Sequence, residues 1–170
     1  MTNRSISVTV SCTIKARRQV VFAAIAPIDL RTIFTGYGLL PSVVEVRNYP
    51  GHWDEVGLWR TPVFSDGGTA RETLVTYRPP LYFSYQITNF TNIFDRIVSK
   101  AYGKWIFSEY SDGTTLVEWT YEFFPLGGRR LLVKFGIVPF WKRYMEKALR
   151  LVSLQVTNHS YDQQDGRSDE

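Results

Sequence analysis

The sequence predicts an α+β fold in which a seven-stranded, strongly curved antiparallel sheet wraps around a long C-terminal helix. Residues 139–156 carry apolar side chains at three- and four-residue steps, with charged residues on the other side, which indicates a helix with one buried face. Much of the preceding chain alternates polar and apolar residues between turn sequences, as antiparallel strands do. At 170 residues the chain is long enough for one core and too short for two ordinary domains.

The amino-terminal part predicts one strand and two short helices. Residues 5–14 alternate Ser or Thr with apolar residues, which is typical of a half-buried strand. The lone cysteine, Cys12, lies on the apolar face, so we expect it in the core, and no internal disulfide can form. Helices are predicted at Arg17–Ile25 and at Leu30–Thr35, where Asp29 is a suitable N-cap.

Six further strands with short connections are predicted between residues 42 and 124. Turn sequences rich in Gly, Pro, Asp and Ser separate them, and those at residues 65–68 and 111–113 are typical of hairpins. The predicted strands are Ser42–Tyr49, Glu55–Phe64, Thr69–Arg78, Leu81–Phe90, Lys100–Tyr110 and Thr114–Phe124. Together with the first strand they form an antiparallel meander.

The C-terminal helix is predicted at Pro139–Val156. Pro139 suits a first helical turn because its missing N–H costs nothing there, and Trp141 and Met145 belong to the apolar stripe. The preceding residues 131–138 are mostly apolar but too few to span a bilayer. They could cover a cavity entrance and contact ligand or membrane, together with residues 37–40 and 91–99, or simply pack.

The strand alternation places aromatic residues on the inner face of the sheet. Phenol and indole groups that face inward need hydrogen-bond partners, and a cavity that holds ligand or water between sheet and helix would supply them. The predicted ligand-binding side chains from the strands are Phe83, Tyr85, Trp105, Phe107, Trp119 and Tyr121, with Trp141 and Met145 contributed by the helix.

Arg60 and Glu72 form a predicted ion pair in this apolar surrounding. If the hairpin turns at Asp66, the two residues lie directly across from each other on the inner face. The pair either links two strands or binds a ligand. In the second case Arg60 donates hydrogen bonds to a ligand oxygen, and Glu72 orients Arg60 or acts as a base. Arg60, Glu72 and Tyr85 are therefore the candidate catalytic residues, and Asn89 is a further candidate for the polar end of a ligand.

Composition and charge narrow the function classes. Lys and Arg are scattered, although the net charge is +4, so we expect no nucleic-acid binding. No metal site and no cofactor are expected, because His52 and His159 lack partners and no glycine-rich phosphate loop is present.

The sequence shows no signal peptide or membrane span, which predicts a cytoplasmic protein without stable membrane insertion. Residues 1–157 are predicted as one domain, and 158–170 as an acidic, flexible tail.

Three stretches carry a resemblance to a known family: GLWRTPVFSDGGTARETL, PPLYFSYQI and KWIFSEYSDGTTLVEWTYEFFP. With the order of the predicted elements, they resemble the SRPBCC or START-like superfamily over residues 5–156, and in particular its polyketide cyclase/dehydrase group. The matching positions are Gly57, Arg60, Asp66, Gly67, Glu72, Tyr85, Trp105, Trp119 and Tyr121.

The resemblance implies a helix-grip fold with a long cavity for lipids, polyketides or aromatic metabolites. The expected partner is a hydrophobic small molecule, and the expected assembly is a monomer or homodimer. The superfamily includes both carriers and enzymes, so the function stays open. The first candidate is a small-molecule binding protein, and the second is a cofactor-independent cyclase or dehydratase that acts in the same cavity. The third is an interaction module whose cavity is vestigial.

Overall fold

Seven antiparallel strands form one open sheet, in the order β1-β7-β6-β5-β4-β3-β2. The computed structural model describes the backbone of residues 5–165 and the side chains of residues 5–158. The strands are β1 (Ile6–Ile14), β2 (Val43–Arg47), β3 (Trp59–Phe64), β4 (Arg71–Arg78), β5 (Tyr82–Thr88), β6 (Val98–Glu109) and β7 (Thr115–Pro125). The helices are α1 (Arg18–Ile25), α2 (Leu30–Ile33) and α3 (Val138–Asp165). This architecture confirms the predicted α+β fold.

The strand alternation predicted from the sequence is confirmed in β5, β6 and β7. In β7 every second residue is buried, and the residues between them are only partly buried. The buried side chains Val117, Trp119, Tyr121 and Phe123 face the core, as the pattern requires of a half-buried strand. Because β6 and β7 are the longest strands and pair with each other, they form the wall on which the site is built.

Strand β3 is shorter than predicted. The sequence predicts a strand from Glu55, but residues 55–58 form a turn in which Gly57 has a φ of 96°. A left-handed backbone angle is readily adopted only by glycine, so the chain bends here before β3 starts at Trp59. The predicted pairing of Arg60 with Glu72 across β3 and β4 is confirmed.

Helix α3 packs against β1 and α2 with a buried stripe. The buried residues of the stripe are Tyr144, Met145, Ala148, Leu149, Val152 and Val156. The helix runs to Asp165, beyond the predicted end at Val156, so residues 158–165 of the predicted tail continue it. Residues 166–170 lie outside the described part of the chain, and the flexibility of the tail stays a prediction. Within the described residues, no helix combines the length and hydrophobicity that a membrane span requires.

A π-helical segment, Leu132–Ile137, leads into α3. Its hydrogen bonds run from residue i+5 to residue i, as shown where the N–H of Val138 donates to the carbonyl of Val133. Val133 is buried, whereas Leu131, Leu132 and Phe135 are exposed. The segment is therefore anchored by Val133 and, in part, by Ile137, while its other apolar side chains lie in solvent.

The two short helices close one end of the sheet. Phe22 of α1 makes edge-to-face ring contacts with Tyr77, Phe83 and Phe107. The predicted N-cap of α2 is confirmed, because the Asp29 carboxylate accepts a hydrogen bond from the backbone N–H of Arg31. These contacts place α1 and α2 over the inner face of the sheet, beside the carboxyl-terminal helix.

Candidate ligand-binding site

The main pocket lies between the inner face of the sheet, α2 and the start of α3. Its empty space is about 670 Å³ with the open mouth included. Apolar and aromatic side chains dominate the lining, as in most small-molecule sites. The lining residues are Leu30, Phe34, Pro41, Val43, Pro62, Phe64, Glu72, Tyr85, Ile87, Phe90, Asn92, Phe94, Tyr121, Phe123, Trp141 and Tyr144.

A smaller cavity, with room for about one water molecule, lies deeper, under α1 and α2. Arg60, Trp105 and Trp119 line this inner cavity and do not line the main pocket. Glu72 and Tyr85 line both, so these two residues stand at the boundary between the two spaces. A ligand in the main pocket would meet their polar atoms at its inner end.

The Arg60–Glu72 pair is buried, with each residue 5% exposed. The Nη2 and Nε atoms of Arg60 donate to the same carboxylate oxygen, Oε1 of Glu72, at 2.8 Å and 3.2 Å. Among the described residues no group donates to the other oxygen, Oε2. One oxygen of Glu72 thus neutralises Arg60, and the second is left to accept a hydrogen bond at the pocket.

Aromatic rings hold the guanidinium of Arg60 from the other side. Its Cζ atom lies 4.3 Å from the ring centre of Trp53 and 5.9 Å from that of Tyr49. At these distances the ring faces attract a cation. The carbonyl of Ile28 accepts a further hydrogen bond from Nη1 at 3.4 Å. Arg60 is therefore fixed by an anion, two rings and a carbonyl.

Tyr85 is held as a hydrogen-bond donor. Its hydroxyl oxygen accepts the indole N–H of Trp119 at 3.0 Å. Because an indole N–H can only donate, the Tyr85 proton has to point elsewhere. Burial, helped by the nearby Glu72 carboxylate, raises the pKa of Tyr85, so the phenol stays neutral. Tyr85 can thus donate to a ligand oxygen.

Gly103 makes room for the Tyr85 ring. A Cβ atom at this position of β6 would lie 2.1 Å from Cζ of Tyr85, much closer than atoms can approach. Gly103 pairs with Tyr85 on one side and with Tyr121 on the other. The glycine therefore lets the phenol lie flat across the neighbouring strand.

The tyrosines at the pocket differ in how their hydroxyls are used. Tyr144 donates to the carbonyl of Pro41 at 2.7 Å and accepts from the N–H of Gly36 at 3.1 Å. Burial raises the pKa of Tyr144 to about 12. Burial also raises the pKa of Tyr121, but its hydroxyl has no hydrogen bond within the described residues. Tyr121 is thus available to a ligand, whereas Tyr144 is occupied.

The predicted site residues separate into three groups. Glu72, Tyr85, Tyr121 and Trp141 line the main pocket, and Arg60, Phe83, Trp105 and Trp119 line the inner cavity together with Glu72 and Tyr85. Phe107 and Met145 are buried in the core and line neither space. Asn89 is exposed, with a left-handed φ of 53°, and also lies outside both.

The sequence analysis missed the lining residues that come from connections. Phe90 precedes a 3₁₀ turn at Ile93–Arg96, Phe94 lies within that turn, and Phe34 caps the end of α2. These segments have no alternation from which an inward direction could be inferred. Trp53, which is buried against Arg60, lies in an irregular loop. Its only sequence signal was a large aromatic residue between turn formers.

Comparison with known proteins gives one family match. Residues 5–154 match the model of a family described as polyketide cyclase/dehydrase and lipid transport. No curated protein matches the chain.

Several solved structures have a similar fold. A norcoclaurine synthase point mutant from Thalictrum flavum, in complex with a transition-state analogue, has a TM-score of 0.66 at 12% identity, covering 92% of this chain and 97% of that one. Major latex-like protein 151 from Panax ginseng also has a TM-score of 0.66 at 12% identity, with 89% and 97% covered. A protein from Nitrosospira multiformis has a TM-score of 0.64 at 17% identity, with 92% and 99% covered.

Proposed function

Because this chain belongs to the polyketide cyclase/dehydrase and lipid transport family and has a hydrophobic ligand-binding fold, we propose that it binds a mostly apolar small molecule in the main pocket. The family match confirms the resemblance of the sequence to the SRPBCC or START-like superfamily. In the bound state the body of the ligand lies against the aromatic lining, and its polar end lies at Glu72, Tyr85 and Tyr121.

The observation that supports this proposal is an apolar pocket with few polar groups. Some of these groups are hydrogen-bonded within the protein, and others have no protein partner. Tyr144 is hydrogen-bonded to the backbone, and the Asn92 side chain bonds to Asp66 and to the N–H of Phe94. Oε2 of Glu72 and the hydroxyl of Tyr121 have no protein partner among the described residues. The indole N–H of Trp141, which also lines the pocket, is buried without a partner among the described residues. A ligand or water in the pocket can serve all three groups.

The unused groups define the chemistry of the polar end. Glu72 can only accept through Oε2, so it selects a hydroxyl or N–H group, whereas Tyr85 donates and selects a carbonyl, carboxylate or phenolate oxygen. The favoured ligand is a lipid, polyketide or aromatic metabolite with a hydroxyl close to a carbonyl group.

Native mass spectrometry of the freshly purified protein tests the proposal. We expect a species heavier than the polypeptide that releases an organic molecule of a few hundred daltons on denaturation. An Ile87→Trp variant fills the main pocket and should lose this species, whereas Val75→Trp, on the exposed side of β4, should keep it.

Overpacking a core site costs about 1–3 kcal/mol, so a thermal melt has to show that Ile87→Trp is folded. If the folded Ile87→Trp variant retains the ligand, or if an apolar dye such as anilinonaphthalene sulfonate binds it as well as it binds the wild type, the pocket is not the binding site.

A second function, a cofactor-independent cyclase or dehydratase, is favoured by the pairing of a carboxylate with a neutral phenol. Glu72 can remove a proton through Oε2, while Tyr85 donates to the oxygen on which negative charge develops. Arg60 holds the Glu72 carboxylate in place through the buried ion pair. One structural neighbour, the norcoclaurine synthase, is an enzyme by name, so this fold also houses catalysis.

Glu72→Gln distinguishes the two functions. In an enzyme this variant still binds a linear polyketone substrate but converts it at least about a hundredfold more slowly, the usual size of general acid–base catalysis. A pure binding protein converts no substrate in either form. Equal conversion by the folded Glu72→Gln variant and the wild type would exclude Glu72 as the base.

A further inference from the structure

Exposed apolar side chains surround the mouth of the main pocket on three segments. They are Leu39 on the turn after α2, Ile93 on the 3₁₀ turn, and Leu131, Leu132, Phe135 and Phe140 on the π-helical segment and the start of α3, and we call this set the apolar rim. Each segment also contributes to the pocket, through Pro41, Phe94 and Trp141. The apolar rim therefore borders the entrance.

The rim is held out in solvent by ordered backbone. Leu39 is fully exposed at the tip of a two-residue turn that is closed by backbone hydrogen bonds between Tyr37 and Leu40. Phe135 and Phe140 are 66% and 54% exposed, although their helix is anchored by the buried Val133. Water-exposed apolar side chains on this scale are unfavourable unless another apolar phase covers them.

The charge of the same region is positive. Between Phe123 and Met145 the sequence has five basic residues and no acidic one: Arg129, Arg130, Lys134, Lys142 and Arg143. Lys142 and Arg143 line one surface groove with Tyr37 and Pro139, so the basic face of α3 adjoins the turn that carries Leu39. Apolar and basic side chains thus share one surface.

We infer that the apolar rim and its basic flank dock the protein on an anionic lipid bilayer with the pocket mouth facing the membrane. Apolar side chains enter the boundary between headgroups and acyl chains, and lysine and arginine contact the lipid phosphates, as in peripheral amphipathic helices. The net positive charge around the mouth favours a negatively charged surface over a neutral one. The contact is peripheral and reversible, and it goes beyond the proposed ligand binding because a docking surface works whether or not the pocket is filled.

Flotation with lipid vesicles tests this inference. Vesicles of phosphatidylcholine and phosphatidylglycerol at 3:1 should carry the wild-type protein upward, whereas vesicles of phosphatidylcholine alone should carry at least tenfold less. Raising the salt to 0.5 M should weaken binding, because surface charges are screened. Absence of binding to the anionic vesicles at low salt would overturn the inference.

Matched variants locate the contact. Phe135→Ser with Phe140→Ser should lower binding at least tenfold, whereas Val44→Ser with Val75→Ser, which are exposed outside the rim, should leave it unchanged. Lys134→Gln with Arg143→Gln should lower it by roughly 25-fold, since each basic residue near an anionic surface contributes about fivefold. Arg78→Gln with Lys104→Gln, also exposed, is the charge-matched control.

Two results would contradict the assignment. If Lys134→Gln with Arg143→Gln and its charge-matched control lose vesicle binding equally, only the net charge of the protein matters. Concentration-dependent self-association in the absence of vesicles, abolished by Phe135→Ser with Phe140→Ser, would mean that the rim is an interface between protein copies. Native mass spectra of these rim variants should still show the pocket ligand, which separates failure of docking from failure of ligand binding.

Discussion

Arg60 and Glu72 form a buried ion pair, and the proposed function gives this pair a role in ligand recognition as well. Both donors of Arg60 use Oε1, so the pair is not the parallel two-bond arrangement in which both carboxylate oxygens are consumed. In the proposed function, Glu72 accepts a hydrogen bond from the ligand through the remaining oxygen, Oε2. The ring of Trp53 stabilises the Arg60 cation independently of Glu72. If Glu72 turned toward a ligand, Arg60 would therefore keep part of its stabilising interactions.

Single substitutions in this pair should destabilise the protein more than the double substitution. Arg60→Met leaves a buried carboxylate and Glu72→Gln leaves a buried guanidinium without its anion, and an uncompensated buried charge costs roughly 3–5 kcal/mol. Arg60→Met combined with Glu72→Gln removes both charges and should cost clearly less. Urea unfolding of the four proteins measures the coupling. Additive losses would show that the two charges are independent. If the folded double variant binds the ligand as tightly as the wild type, the pair only links β3 to β4 and does not take part in recognition.

Gly103→Ala should displace the Tyr85 ring and break its hydrogen bond to Trp119. The added Cβ would overlap the ring, and such overpacking costs about 1–3 kcal/mol. Thermal unfolding should detect the loss, and the fluorescence of Trp119 should change because its N–H loses a partner. Gly127→Ala is the matched control, since a Cβ there meets no atom within 4 Å. A Gly103→Ala protein as stable as the control would mean that Tyr85 moves aside freely.

At the level of secondary-structure elements, the periodicity of the sequence correctly predicted which faces of the strands and of α3 are buried. The buried faces of β5 to β7 and of α3 follow from alternation and from the apolar stripe, and the Asp29 cap follows from its side-chain chemistry. Element ends were less predictable. The helix α3 was predicted to end at Val156, where the apolar stripe ends, although no Gly or Pro follows before Gly166. The late start of β3, after Gly57, depends on a backbone angle.

The pocket lining was predictable only where it comes from strands. Tyr85 and Tyr121 were found by strand parity, whereas Phe34, Phe90 and Phe94 lie in connections whose direction is set by tertiary packing. Parity also overestimated the site, because it cannot tell a residue facing the cavity from one packed under α1. Phe107 faces inward as predicted, yet it is covered by Phe22.

The turn between α2 and β2 is tied to α3 by side chains, which gives a prediction for mobility. Tyr144 bonds to Gly36 and Pro41, and the Nζ of Lys147 donates to the carbonyl of Gly36 at 2.8 Å. Tyr144→Phe should therefore speed amide exchange of residues 36–41 and cost about 1–2 kcal/mol, because two hydrogen bonds are lost.

Hydrogen exchange monitored by mass spectrometry measures this difference. Tyr102→Phe, which removes one hydroxyl contact with Gln86 on β5, is the control and should leave residues 36–41 unchanged. Equal protection of residues 36–41 in Tyr144→Phe and the wild type would mean that Lys147 and the turn's own hydrogen bonds are sufficient.

At the scale of the whole molecule, the sheet and α3 leave space between them because aromatic rings fill the gap only partly. Trp105 and Trp119 stack with ring centres 4.5 Å apart, and Tyr121 lies 4.8 Å from Trp141 of α3. Of these rings, Tyr121 and Trp141 line the main pocket, and the three segments of the apolar rim border its mouth. A ligand bound as proposed would enter past exposed apolar side chains and end at buried polar ones.

Burial of neutral tyrosines should make the protein lose stability at alkaline pH. Burial raises the pKa of Tyr121 well above the ordinary value of 10.0, so the folded state keeps this proton while the unfolded state releases it. The unfolded state therefore gains stability as the pH rises above 10. The free energy of unfolding should fall by up to about 1.4 kcal/mol per pH unit for this one group, until the pKa of the folded state is reached.

Tyr121→Phe isolates this effect from the titration of all other groups. The Tyr121 hydroxyl has no protein partner in the described residues, so the variant should have nearly wild-type stability at pH 8, where the phenol is neutral in both states. Between pH 10 and 12 its urea midpoint should fall less steeply than that of the wild type, because one proton fewer is released on unfolding. Tyr110→Phe, at an exposed position, is the control and should follow the wild-type curve. Parallel curves for Tyr121→Phe and the wild type would show that the Tyr121 hydroxyl reaches solvent through the pocket, and the polar end of the ligand would then be assigned to Glu72 and Tyr85 alone.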